Sequence, residues 1–127
     1  MVQTDISQLS KECNQWREHL HSLRDEFNEL KQQLQNVANK ALSKDQLTDL
    51  EHFQNQLHIQ LINIHDLKQA VKSHDRSIQQ ELSVTNGNVS EDSYVDHERL
   101  YDDYEYLKHS LQELRSDFNK FNSGILN

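Results

Sequence analysis

The apolar residues of the first third of the chain are Ile6, Leu9, Cys13, Trp16, Leu20, Leu23, Phe27, Leu30, Leu34, Val37 and Ala41, and the steps between them alternate three and four without a miss. Nearly everything in between is charged, amide, hydroxyl or imidazole. A helix gathers such positions into one narrow stripe, and a sustained a/d heptad is the pattern of helices that pack along a seam. The spacing predicts a first helix over about 4–41. Continuing the series past it would place Lys44 and Thr48 in the stripe, whereas the apolar residues are Leu42, Leu47 and Leu50. At this phase break stands Ser43-Lys44-Asp45-Gln46, the spacing of a capping box: a serine oxygen serves the amide three residues on, and a glutamine reaches back to the serine amide. A turn here is expected. The alternative is one unbroken helix, since neither Gly nor Pro interrupts the stretch.

The second helix is expected over about 44–83. Its seam is Leu50, Leu57, Ile64, Val71 and Ile78, each seven residues apart; Phe53, Leu67 and His74 flank it on one side and Leu47, Leu61 and Leu82 on the other. An apolar arc this wide suits a middle helix that touches two neighbours. Thr85-Asn86-Gly87-Asn88 is the strongest breaker cluster. Ser90 follows as a cap, with Glu91 and Asp92 in the first turn, where the helix dipole favours negative charge. The third helix, about 90–122, presents His97, Leu100, Tyr104, Leu107, Leu111, Leu114, Phe118, Phe121 and Ile125 at the same alternation, and Gly124 marks a fraying end.

The expected fold is all-α: an elongated antiparallel three-helix bundle, up-down-up, with coiled-coil-like heptad packing and a single domain over 1–127. Short connections make successive helices antiparallel neighbours. Folding back about Ser43 sets Val37, Leu30, Leu23, Trp16 and Leu9 against Leu50, Leu57, Ile64, Val71 and Ile78, and places Cys13 opposite His74. Folding back about Gly87 sets Ile78, Val71, Ile64, Leu57 and Leu50 against His97, Tyr104, Leu111, Phe118 and Ile125. It also lays the basic row Lys68, Lys72 and Arg76 beside the acid-rich stretch from Glu91 to Glu105. At ~1.5 Å per residue the first helix would be about 55 Å long, which makes a rod.

Composition narrows the function classes. The 127 residues include no proline and only Gly87 and Gly124 as glycines, too little turn chemistry for a β-rich fold. The hydrophobic share of 34% suits thin seams rather than a thick core. A net charge of −8 argues against nucleic acid, which selects basic faces, and against an anionic leaflet. No apolar run approaches a membrane span, and the start of the chain carries no signal-peptide pattern. One cysteine permits no intrachain disulfide, so a cytoplasmic setting is expected.

Eight histidines raise the question of a metal. Glu18-His19-Leu20-His21 has the Glu-x-x-His spacing of di-iron bundles, but Glu18 and His21 fall on the outer face. His97-Glu98-Arg99-Leu100-Tyr101 begins like a zincin motif, and Tyr101 occupies the second histidine position. The sharpest candidate is Cys13 with His74 opposite and His97 about one turn away; it lacks a second cysteine and the four ligands of structural zinc. The expectation is therefore no metal, no cofactor, no small-molecule substrate and no catalysis: no phosphate loop or nucleophile elbow is present, and the only thiol lies in a seam.

Two pairs could mark a contact surface. Ile59 and Ile62 point away from the seam of the second helix, and Tyr94 and Tyr101 border that of the third, where the ordinary role of such residues is to widen the core. In architecture and composition the pattern resembles spectrin-like and flagellar-export-chaperone-like helical bundles, without a motif that would assign residues. The function expected is that of a structural or adaptor protein working by helix-to-helix contact with a protein partner or as a homodimer. The alternatives are a small acidic chaperone that holds an amphipathic client helix and a metal-binding bundle.

Overall fold

The computed structural model describes residues 6–85 and 89–126, and within these the side chains of 8–84, 89–124. Three helices account for almost all of them: α1 (Ile6–Ala38), α2 (Lys44–Thr85) and α3 (Glu91–Leu126). At ~1.5 Å per residue they run about 50–63 Å. No strand occurs among the described residues, and no described helix is long and apolar enough to cross a membrane. The expected start near residue 4, the Asn86-Gly87-Asn88 turn and the pairing of Leu50 with Ile125 lie outside the described residues or side chains.

The chain breaks where the heptad phase does. α1 ends three residues short of Ala41: the amides of Asn39 and Lys40 bond back to the carbonyls of Asn36 and Val37 at 3.3 and 3.0 Å, closing the last turn tightly. Ala41 is exposed, and Leu42 turns inward onto the core instead. The capping box forms in both directions: Gln46 N donates to Ser43 Oγ at 3.2 Å, and Ser43 N donates to Gln46 Oε1 at 2.9 Å. α3 starts on Ser90, whose Oγ accepts from Ser93 N at 3.2 Å. At its other end α3 continues through Gly124, where a Cβ would meet open space, so the glycine does not stop the helix.

Contacts fix the directions of the helices. Along α1, Ser10 meets Asp75 and Gln79 while His21 meets Lys68, so α2 runs back along α1. His74 meets His97 and Phe53 meets Phe118 and Phe121, so α3 runs back along α2. Glu12, His19 and Glu26 of α1 meet His97, Tyr104 and Arg115 of α3 in the same order, so α1 and α3 share a direction. The backbones of α1 and α2 approach over most of their length, those of α1 and α3 least. Long side chains fill that wider gap: Trp16 packs on Tyr104 with ring centroids 6.0 Å apart, and the Arg115 guanidinium lies over Phe27 at 5.8 Å.

Every described apolar seam residue of α1 from Leu9 to Val37 is buried, as are Leu50, Leu57, Ile64, Val71 and Ile78 of α2 and Tyr104, Leu107, Leu111 and Phe118 of α3. The wide arc of α2 is present in Phe53, Leu61 and Leu67, which pack partly buried on the core. Leu47, expected in that arc, is 47% exposed. The α2–α3 register differs from the expected one by about a helical turn where His97 meets His74, a turn before Ile78; at the other end Phe53 lies between Phe118 and Phe121, with centroids 6.0 and 5.0 Å away. The cause is visible at the connection. α2 continues to Thr85, and the Glu81 carboxylate accepts from Ser90 N and Ser93 Oγ, tying the first turn of α3 to a point one turn before the end of α2. Charge pairing also differs from expectation. Among the described residues the basic–acidic side-chain pairs that cross helices are His97 with Glu12 and Arg115 with Glu26, both between α1 and α3, while Lys68 lies 3.2 Å from His21 of α1.

Two outcomes follow from this packing. Leu111 is fully buried, and Leu111→Ala should cost about 2–5 kcal/mol in a denaturant titration, whereas Tyr106→Ala, at a residue 78% exposed, should leave the midpoint almost unmoved. Equal effects would mean that the seam of α3 is misplaced. The hydrogen bonds from Ser93 and Ser90 hold the Glu81 carboxyl below the ordinary carboxylate range. A carboxyl whose folded pKa is depressed adds stability above its unfolded pKa and loses it as pH falls through the folded one. Glu81→Gln should therefore lower the melting midpoint at pH 7, and the gap to wild type should close as the pH falls below the carboxylate range; a gap independent of pH would refute the tie.

Candidate functional site

The layer of the seam one step from Leu9 is not apolar. Cys13 of α1, His74 of α2 and His97 of α3 all turn inward there, with exposures of 0, 9 and 5%. Heptad positions put them on their seams, and the one-turn register of α3 brings His97 level with the other two. His74 Nε2 lies 3.0 Å from His97 Nδ1, and Cys13 Sγ lies 4.0 Å from the same nitrogen. One ligand-capable atom from each residue falls within 4.8 Å of the others. The sequence places these three near one another; the structure makes them neighbours.

The His97 ring is held from two sides. Its Nε2 lies 2.9 Å from Glu12 Oε2, so with the proton on Nε2 the ring donates to the carboxylate and turns the Nδ1 lone pair toward Cys13 and His74. Trp16 covers one face, with centroids 4.7 Å apart and planes 32° from parallel. Polar groups continue around the cluster: Ser10 Oγ donates to Asp75 Oδ1 at 2.9 Å, and Gln79 Nε2 donates to Ser10 Oγ at 3.1 Å. About two turns further along, His19 Nδ1 meets the Tyr104 hydroxyl.

The electrostatics favour a neutral His74 ring and a protonated Cys13 thiol. Burial, reinforced by Asp75 and Glu12, pushes the Cys13 thiol up to about 12. Burial, and then the neighbouring His97, hold His74 below the ordinary histidine range. Burial works against the Glu12 carboxylate, yet the hydrogen bonds from His97 and Gln8 outweigh it and the carboxyl lies below its ordinary range. A neutral imidazole is the form that offers a lone pair, and a thiol this weakly acidic is a poor nucleophile near neutral pH.

Glu12 is the residue that the sequence pattern did not single out. It occupies the position just before a seam residue, where a side chain on one helix reaches the edge of the next, and that position was the available signal. The other candidates are scattered. Glu18 and His21 are both exposed on the outer face of α1. Ile59 and Ile62 lie side by side on the outer face of α2 at 49 and 46% exposure. Tyr101 is 47% exposed and leans on Trp16 with centroids 5.9 Å apart, while Tyr94 is only partly exposed; the two do not form one patch with the isoleucines. No family model matches this chain, and comparison with curated proteins and with solved structures likewise gives no match.

Proposed function

We propose that this protein acts by helix-to-helix contact, and that its first partner is a second copy of itself, docked through the outer face of α2. The observation that carries this reading is the pair Ile59 and Ile62, about half exposed among the described residues near the middle of α2. Fully burying an isoleucine removes apolar surface worth about 1.5–3 kcal/mol from water, so leaving two adjacent ones uncovered forgoes an appreciable stabilisation. Asn55, His58, Asp66 and Gln69 surround them, all exposed, as the polar rim of a contact patch. Two apolar residues three apart form a patch that is complementary to itself under a two-fold axis: laid antiparallel, Ile59 of one copy approaches Ile62 of the other, and the reverse. The net charge of −8 supports a protein partner over nucleic acid, and a single buried thiol suits a cytoplasmic setting.

Light scattering coupled to size exclusion tests the reading. Wild type should elute at twice the chain mass of 15.1 kDa, and Ile59→Glu/Ile62→Glu should elute as a folded monomer with an unchanged helical circular-dichroism spectrum. A monomeric wild type, or a dimer that survives both glutamates, would overturn the assignment. A double variant that unfolds would instead assign the isoleucines to the core.

A further inference from the structure

We propose that Cys13, His74 and His97 form a binding site for a transition-metal ion, with Zn2+ as the ion the donors suit, and with Glu12 as the carboxylate that positions His97. The inference stands apart from the dimer reading, since the cluster lies inside the bundle and Ile59 and Ile62 lie outside it.

Three observations carry it. The first is convergence: three helices each place a thiol or imidazole in one buried layer, and their donor atoms lie within 4.8 Å of each other. In a tetrahedral zinc site with Zn–N near 2.0–2.1 Å and Zn–S near 2.3 Å, ligand atoms stand roughly 3.3–3.6 Å apart. The 3.0 Å between His74 Nε2 and His97 Nδ1 and the 4.0 Å between Cys13 Sγ and that Nδ1 bracket this spacing.

The second observation is the partner of the first histidine. Metal-bound imidazoles donate their other N–H to a carboxylate or carbonyl, which fixes the tautomer and aims the ligand nitrogen. His97 has this arrangement: Nε2 bonds to Glu12 at 2.9 Å, and Nδ1 faces the other two donors. Trp16, tilted over the ring with centroids 4.7 Å apart, restricts it further. A histidine that merely filled a seam would need neither restraint to point at a cysteine and another histidine.

The third is charge. Binding a divalent ion releases the Cys13 proton, and the ion, the thiolate and the Glu12 carboxylate then sum to neutrality. Three protein donors leave the fourth position to water, the pattern of zinc sites with an open coordination position rather than of closed structural ones.

The test uses the untagged full chain, stripped with chelator, because surface histidines and carboxylates bind metals weakly on their own. Co2+ serves as the spectroscopic stand-in for Zn2+. Wild type should bind one equivalent, with a thiolate-to-cobalt charge-transfer band in the near ultraviolet and intense tetrahedral d–d bands, and Zn2+ should displace it stoichiometrically and raise the melting midpoint. Cys13→Ser should abolish the charge-transfer band. Glu12→Gln, which keeps an acceptor oxygen for His97 Nε2 at a partly exposed position, should weaken Zn2+ binding by about 10–100-fold. His109→Ala, on the exposed surface of α3, should change nothing. Co2+ bound without a charge-transfer band, Zn2+ affinity unaltered by Glu12→Gln, or no shift of the wild-type midpoint with Zn2+ would each overturn the site.

Discussion

The apolar stripe of α1 is the constraint on which the rest of this structure depends. From Leu9 to Val37 every one of its described positions is buried, and each fully buried side chain of this size contributes about 1.5–3 kcal/mol by leaving water. One helix cannot bury its own stripe. α2 covers it along most of its length, and α3 closes the remaining edge at a greater backbone distance. That difference in distance explains the side chains found there: Trp16, Phe27, Tyr104 and Arg115 span a gap that leucines would leave open.

Burial of a stripe fixes which faces meet and leaves open how far one helix slides along another. Heptad seams repeat, so a slide of one turn replaces leucine against leucine with leucine against isoleucine or phenylalanine. The α2–α3 pair shows this freedom and its resolution. The expected register, centred on Gly87, also sets apolar residues against one another, Val71 on Tyr104 and Ile64 on Leu111 among them. What separates them is polar: Glu81 grips the first turn of α3 through Ser90 and Ser93, and His97 meets His74 and Glu12. Each of these contacts is lost on a slide of one turn.

This is also where the sequence stops being legible. The seam of α1, the phase break at Leu42 and the Ser43 and Ser90 caps could all be read directly, because each depends on neighbours within about seven residues along the chain. The ends were less clear. Ala41 continues the heptad by type, but Leu42 takes the inward place once the helix has closed on Asn36 and Val37, and Gly124 lies in a helix that neighbouring residues sustain. The candidate cluster was half legible: Cys13 opposite His74 follows from the α1–α2 fold-back, whereas the placement of His97 and the part played by Glu12 depend on the slide of α3, which no local pattern encodes.

A polar layer in an otherwise apolar seam needs a physical reason, and its energetics supply one that holds with or without an ion. Two imidazoles and a thiol withdrawn from water contribute less than three leucines would, so the layer costs stability in the correct register. In a slipped register it costs far more: His97 would face Ile78 with its nitrogens unpaired, and a buried group that loses its hydrogen bond costs about 1–3 kcal/mol. Apolar layers are nearly indifferent to a slide of one turn, and this one is not. Cys13, His74, His97 and Glu12 therefore act as the pin that selects one alignment of three repetitive helices, as a single polar seam residue does in coiled coils. That pin also holds three donor atoms within reach of one another before any ligand arrives, so the ordering needed to bind one is largely complete once the bundle has folded.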